Sequence, residues 1–172
     1  MKPAKPKEPR EPRRFHRVRR ALEPVIRPAM HAYWRLSRPA TLGVRAMVID
    51  GQGRVFLVKH SYVEGWHFPG GGVEIGETLL EALARELAEE GNIVLSATPR
   101  LHGMFFNKRV SRRDHVALYI VREFSQDSAP QPDHEIVEHG FFALSALPED
   151  TTRATRARLA EVFDQAAISE LW

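Results

Sequence analysis

A triple glycine at residues 70–72 is followed closely by a run of glutamates, and this stretch holds the residues best suited to chemistry. Five of the glutamates lie within residues 77–90, namely Glu77, Glu81, Glu86, Glu89 and Glu90. Carboxylates three or four residues apart repel one another on a helix, so they are either solvated or gathered around a positive charge. Oxygen ligands favour Mg²⁺, Mn²⁺ or Ca²⁺ over zinc. The stretch therefore predicts a divalent-cation site beside a flexible turn.

A helix over residues 78–90 would place three of these carboxylates together. The spacing of Leu80, Leu83 and Leu87 predicts one buried stripe. Glu86, Glu89 and Glu90 are related by three and four positions, so we expect them on one face about a quarter turn from that stripe. Thr78 or Gly76 suits the start of the helix, and Gly91-Asn92 suits its end, where a left-handed residue is wanted.

The spacing of these residues resembles a known family signature. Gly71, five residues, Glu77, seven residues, Arg85-Glu86-Leu87-Ala88-Glu89-Glu90 and then Ile93 resemble the Nudix box, G-x5-E-x7-R-E-U-x-E-E-x-G-U, where U is a bulky aliphatic residue. A chance match would arise on the order of once per million chains of this length. Asn92 stands where the box has glycine, and asparagine is the next most tolerant residue of a positive φ.

The resemblance implies an activity and roles for individual residues. Nudix proteins typically hydrolyse the pyrophosphate of a nucleoside diphosphate linked to another group, with Mg²⁺ or Mn²⁺. The resemblance implies a metal site made by the carboxylates of Glu86, Glu89 and Glu90 and the carbonyl of Gly70. Arg85 is similar to the arginine that orients these glutamates, and Glu77 to its partner.

The resemblance leaves the general base open. A glutamate of the box or one from a later loop serves in the family, so Glu86 competes with Glu135 and Glu138. The stretch "PDHEIVEHGFF" lies where such a loop falls. As a polar surface loop before a strand it would need no catalytic role.

Two further groups are candidates for binding substrate. Lys108, Arg109, Arg112 and Arg113 lie in a turn between two predicted strands and could contact phosphate, although such a run also suits a solvated turn. Trp66 could stack on a base, or it could pack with Phe68 beneath the glycine turn.

The elements that must position these residues follow from hydrophobic patterning. Apolar, β-branched runs at "TLGVRAMVID" and "RVFLVKH" flank Gly51-Gln52-Gly53 and predict a β-hairpin. Further strands are expected near "RLHGMFFN", "DHVALYIVREF" and "HGFFAL", with a last helix from about residue 151 to 167. The order β-β-β-α-β-β-β-α predicts an α/β (α+β) fold with a mixed sheet. It resembles the Nudix α/β/α sandwich.

Charge divides the 172 residues into a basic arm and an acidic body. Residues 1–38 hold twelve Lys and Arg against three Glu, a charge of +9, and the total of +3 leaves −6 for the rest. We expect a disordered arm at 1–22, a short amphipathic helix at 23–38 and the Nudix domain at 39–172. The arm is either a solubilising element or an RNA tether, and the helix could form a homodimer surface.

Amino-acid composition limits the chemistry and the cellular location expected of the chain. The chain has no cysteine, which excludes disulfides and thiolate chemistry and agrees with a reducing, cytoplasmic location. No apolar run approaches the roughly 18 residues of a membrane span, so no membrane partner is expected.

Together these features favour metal-dependent hydrolysis of a pyrophosphate bond in a nucleoside diphosphate derivative or nucleoside triphosphate. The alternatives are a pyrophosphohydrolase acting on RNA 5′ ends and a non-catalytic nucleotide-sensing or RNA-binding regulator. Retention of the box carboxylates and Arg85 speaks against the regulator. A small nucleotide is the expected partner, ahead of RNA.

Overall fold

The computed structural model describes residues 40–131 and 134–172, together with Pro28, Met30 and Tyr33. The predicted arm at 1–22 lies outside the described residues. Of the predicted helix at 23–38, the three described residues are helical. None of the helices in the described ranges is both long enough and apolar enough to cross a membrane.

In the ranges 40–131 and 134–172 the chain forms eight strands and two α-helices. The strands are β1 (Thr41–Val48), β2 (Val55–His60), β3 (Trp66–His67), β4 (Val94–Leu95), β5 (Arg100–Phe106), β6 (Asp114–Val121), β7 (Phe124–Ser125) and β8 (Ile136–Phe142). The helices are α1 (Leu79–Gly91) and α2 (Arg153–Phe163), and a short 3₁₀ helix spans Leu144–Ala146.

The strands form mixed and antiparallel sheets. β1 runs parallel to β6, from Thr41 opposite Asp114 to Val48 opposite Val121, and β5 lies antiparallel on the other side of β6. β2 lies between β3 and β8, both antiparallel to it. β4 and β7 make a short antiparallel pair. The predicted mixed α+β class is confirmed.

The predicted hairpin between β1 and β2 is wrong. The turn itself forms, because the Asp50 carboxylate accepts hydrogen bonds from the backbone N–H groups of Gln52 and Arg54, each at 2.9 Å. Beyond it, one antiparallel bridge joins Ile49 to Val55, and the two strands then enter different sheets. Both strands bury apolar residues on their two faces, so burial rather than the turn decides their partners.

Alternate residues of β1 enter two separate cores, one beside each helix. Val44, Ala46 and Val48 pack in a cluster with Leu83 and Leu87 of α1. Met47 on the opposite face of β1, and Ile49 just after the strand, belong to a second cluster, which contains Leu159 of α2. The sheet layer thus lies between helices, as expected of an α/β/α sandwich.

Local signals define α1. Thr78 caps the N-terminus, its hydroxyl accepting from the Glu81 N–H while the Glu81 carboxylate accepts from the Thr78 N–H, which is a capping box. Asn92 ends the helix in the left-handed conformation with φ 49°, so the departure from the box glycine is accommodated. Leu80, predicted in the buried stripe, is 38% exposed, and Ala82 takes the buried position beside Leu83 and Leu87.

Helix α2 is shorter than predicted. It begins after Thr152, whose side chain accepts a hydrogen bond from the Thr155 N–H, and it ends at Phe163. Gln165 has a φ of 55°, a left-handed conformation that an α-helix cannot continue through. The expected extension to residue 167 is therefore absent.

Candidate functional site

A cavity of about 430 Å³ lies beside the glycine turn. Glu86 and Glu90 line it from α1, Glu135 lines it from the segment before β8, and Gly70, Gly71 and Gly72 form another part of its wall. We call it the glutamate cavity. Its volume lies within the range of small-molecule sites.

Arg85 joins the glycine turn to the glutamates of α1. Its Nε and Nη2 donate to the two carboxylate oxygens of Glu77 at 2.8 and 3.1 Å. Its Nη1 donates to Glu86 at 2.8 Å and to Glu89 at 3.3 Å, and Nη2 also reaches the Gly72 carbonyl at 3.1 Å. Hydrogen bonding to Arg85, with the backbone N–H of Glu74, lowers the pKa of Glu77 to about 2.

Glu90 is a buried carboxylate that lines the cavity. It is 5% exposed, and its Oε2 accepts a hydrogen bond from the Gly70 N–H at 2.7 Å. Burial raises the pKa of Glu90 to about 8. Burial also raises the pKa of the half-buried Glu86, against the opposing effect of Arg85.

Gly70 must be glycine for this contact to form. Its φ is 136°, and a Cβ there would lie 2.2 Å from the Val44 carbonyl oxygen. The backbone can therefore approach both β1 and Glu90 as no residue with a side chain could.

Glu89, predicted to share one face with Glu86 and Glu90, points more toward solvent. Its side chain is 60% exposed and contacts Arg85, and it does not line the glutamate cavity. Glu135 lines the cavity instead, and its carboxylate accepts a hydrogen bond from the Tyr62 hydroxyl at 2.8 Å. Three glutamate carboxylates thus converge, but from two segments of the chain.

His60, at the end of β2, faces two of these carboxylates. One ligand atom from each of His60, Glu90 and Glu135 lies within 4.8 Å of the others. Burial lowers the pKa of His60 to about 4, so at neutral pH its imidazole is neutral. Carboxylate oxygens and a neutral imidazole nitrogen form a donor set that fits a divalent cation.

Of the three candidates for the general base, Glu86 and Glu135 border the cavity. Glu138 lies on β8 with its side chain 58% exposed, 3.5 Å from the Lys59 Nζ, and does not line the cavity.

Trp66, predicted to bind substrate, is a core residue instead. It is 6% exposed in the cluster beside α2, and its ring packs edge-on against Phe142 with centroids 4.8 Å apart. Its backbone carbonyl accepts from the Thr152 N–H. The large apolar ring therefore packs beneath the sheet, and it does not line the glutamate cavity.

The basic turn lies at the rim of the cavity. Asn107, Val110 and Asp114 line the glutamate cavity, whereas Arg109, Arg112 and Arg113 do not. The three arginines are exposed, and Arg109 borders a second cavity with Arg153 and Trp172. Whether they contact substrate stays a prediction.

Sequence reasoning missed Arg45, His60 and Tyr62, all of which lie at this site. Arg45 lines the cavity and donates to the Phe68 carbonyl at 3.0 Å. The sequence feature that could have identified Arg45 is its charge within an otherwise apolar, buried strand. His60 and Tyr62 carried no comparable signal, because their nearness to Glu90 and Glu135 depends on the pairing of β2 with β8.

Comparisons with known proteins identify the family of the chain. Residues 39–163 match the family model described as the NUDIX domain. An RNA pyrophosphohydrolase of Halorhodospira halophila (strain DSM 244 / SL1) is 41% identical over 76 residues, which are 41% of this chain and 42% of that protein. A putative mutator protein MutT4 of Mycobacterium tuberculosis (strain CDC 1551 / Oshkosh) is 31% identical over 134 residues, 74% of this chain and 49% of that protein. The chain thus spans half or less of the length of these curated relatives.

Among solved structures, a MutT NUDIX hydrolase from Burkholderia pseudomallei is 28% identical, with a TM-score of 0.61 over 72% of this chain and 98% of that one. A NUDIX hydrolase from Nitrosomonas europaea has a TM-score of 0.62 at 21% identity, over 74% of this chain and 72% of that one, a likeness of fold. Together with the family-model match and the box at residues 71–93, these findings show that the chain belongs to the NUDIX family.

Proposed function

We propose that this chain hydrolyses a pyrophosphate bond in a nucleoside diphosphate derivative or a nucleoside triphosphate, with Mg²⁺ or Mn²⁺. The observation that carries the proposal is the convergence of Glu86, Glu90 and Glu135 on one cavity beside a glycine turn. A pyrophosphate brings negative charge among carboxylates, so binding requires cations. The family match supports the same chemistry.

The proposed metal donors are the carboxylates of Glu86, Glu89 and Glu90 and the carbonyl of Gly70. The neighbouring carbonyls of Pro69 and Gly71 accept hydrogen bonds from Ala46 and Val44 of β1. This pattern favours a Gly70 carbonyl that points away from β1. The N–H of Gly70 donates to Glu90. When bound, the cation polarises the attacked phosphorus and lowers the pKa of the attacking water.

Arg85 acts as a positioning residue in this proposal. It contacts Glu77, Glu86 and Glu89 through one guanidinium, so it holds two proposed metal donors in place and offsets their mutual repulsion. Glu77 in turn fixes Arg85 with two hydrogen bonds.

Of the three candidate bases, Glu86 and Glu135 line the cavity and are placed to accept a proton from water there. The raised pKa of Glu86 brings it nearer to neutral pH, which suits a general base. Arg45, which also lines the cavity, is a suitable contact for a substrate phosphate.

The 5′ end of RNA is a second candidate substrate. The RNA pyrophosphohydrolase of H. halophila is among the relatives, and the turn carrying Lys108, Arg109, Arg112 and Arg113 reaches the cavity rim through Val110. A longer polyanion could extend along such a basic turn.

A hydrolysis screen tests these proposals directly. The full chain would be incubated with nucleoside triphosphates, nucleotide sugars, ADP-ribose and 5′-triphosphate RNA, with Mg²⁺, Mn²⁺ or EDTA. We expect cation-dependent cleavage of at least one small nucleotide, lowered about 100-fold or more by Glu90→Gln. Glu123→Gln, an exposed glutamate away from the cavity, is the matched control and should leave the rate unchanged. Cleavage of RNA alone would favour the second candidate.

A further inference from the structure

We propose that His60 supplies a nitrogen ligand to a divalent cation held together with Glu90 and Glu135, which makes this part of the site select a first-row transition-metal dication over Mg²⁺. The inference deepens the proposed function, since Glu90 and Glu135 line the glutamate cavity and His60 lies beside both of them without itself lining it. It adds to the predicted oxygen donors a residue outside the box and outside the loop that carries Glu135.

The backbone of β2 directs His60 away from regular pairing. The register between β2 and β8 shifts between Lys59 and His60, so Lys59 lies opposite Glu138 while His60 lies opposite Ile136. Irregularities of this kind re-aim a side chain at the end of a strand. Here the imidazole lies near Glu90 and Glu135.

The imidazole is buried with its hydrogen-bonding capacity unused. His60 is 7% exposed, and among the described residues neither ring nitrogen has a hydrogen-bond partner. Buried polar groups are nearly always satisfied, and leaving one unpaired costs free energy. A bound cation would use one of these nitrogens.

The spacing of the donors suits coordination better than hydrogen bonding. The His60 Nε2 lies 3.7 Å from the Glu90 Oε1, beyond hydrogen-bond length. Ligands that each lie about 2.0–2.2 Å from one cation are separated by about 3–4 Å. The other Glu90 oxygen accepts from the Gly70 N–H, the kind of outer contact that orients a metal-binding carboxylate.

The type of ligand atom decides which cation the site prefers. Mg²⁺ favours oxygen ligands and gives up its waters reluctantly. An imidazole nitrogen raises affinity for first-row transition metals instead.

Mn²⁺ binding to the full chain, without any substrate, tests the proposal. Electron paramagnetic resonance (EPR) titration gives the Kd, and electron spin echo modulation detects a coordinated nitrogen. We expect ¹⁴N modulation in the wild type, replaced by ¹⁵N modulation after labelling with ¹⁵N-histidine. His60→Gln should abolish the modulation and weaken Mn²⁺ binding about tenfold or more, while Mg²⁺ binding, measured by competition, changes less than about threefold.

His115→Gln is the matched control. His115 lies on β6 between Asp114 and Val116, which line the cavity while His115 does not, so this variant should keep the nitrogen signal and the Kd. If His60→Gln fails to fold, His60→Asn and the labelled wild type still decide the question. Absence of nitrogen modulation in the wild type, or its persistence in His60→Gln, would overturn the proposal.

The outcome is separable from that of the hydrolysis screen. Nitrogen coordination without cleavage of any pyrophosphate would leave this inference standing and refute the proposed function. Cation-dependent cleavage without nitrogen coordination would refute this inference alone.

Discussion

Arg85 and Glu77 are joined by two hydrogen bonds, Nε to Oε1 at 2.8 Å and Nη2 to Oε2 at 3.1 Å. The pair ties the segment that follows the glycine turn to the helix that carries Glu86 and Glu90. The same guanidinium also contacts Glu86 and Glu89, so one side chain sets the position of several proposed metal donors.

Replacing Arg85 should therefore misplace these donors. Lysine retains the charge but cannot form the paired contacts of a guanidinium. For Arg85→Lys we expect kcat to fall about tenfold or more and the Kd for Mn²⁺ to rise, with circular dichroism unchanged. Steady-state kinetics and a metal titration measure both effects. Wild-type kcat in this variant would show that Arg85 does not position the glutamates.

Trp66 should matter for stability and not for substrate recognition. It is 6% exposed and packs against Phe142. Trp66→Ala should lower the free energy of unfolding by about 3–5 kcal/mol, and Trp66→Phe by less, as measured by denaturant unfolding. For Trp66→Phe at a temperature where it is folded, we expect an unchanged KM. A large rise in KM for some substrates and not others would show that Trp66 contributes to substrate binding.

The Asp50 turn should make stability depend on acid pH. Although burial opposes the effect, hydrogen bonds from Arg54 and Gln52 hold the pKa of Asp50 below its ordinary value of 3.8. A lowered folded-state pKa stabilises the protein above pH 3.8, and this contribution is lost as pH falls below that value. The Tm difference between wild type and Asp50→Asn should therefore shrink below pH 3.8. Parallel Tm profiles across this range would contradict the assignment.

The basic arm should be dispensable for hydrolysis of small nucleotides. The family match begins at residue 39, and residues 1–14 have little apolar area to bury. Deleting residues 1–20 should leave kcat/KM within about twofold, well below a tenfold change. Anisotropy titrations at two salt concentrations would show whether RNA binding depends on the arm. Loss of a salt-sensitive RNA affinity on deletion would identify the arm as a tether.

Local signals were readable from the sequence where a few adjacent residues decide the structure. The start of α1 at Thr78 and its end at Asn92 follow from capping, and the box spacing identified Arg85 and its glutamates. Contacts set by strand pairing were not readable. β1 and β2 part after one bridge, and that separation places His60 beside β8 and Glu135. Burial at ambiguous positions, such as Leu80 and Trp66, was likewise decided by packing.

The central claim is that the glutamate cavity hydrolyses a pyrophosphate bond, and ³¹P NMR of products formed in H₂¹⁸O tests it most directly. With a nucleotide selected by the screen and Mn²⁺ present, we predict one ¹⁸O atom in the phosphate products per bond cleaved. In EDTA or with Glu90→Gln, incorporation should fall about 100-fold or more, because the charge stabilisation from the held cation is lost. Undiminished turnover in EDTA, or cleavage without ¹⁸O in any product, would contradict the account.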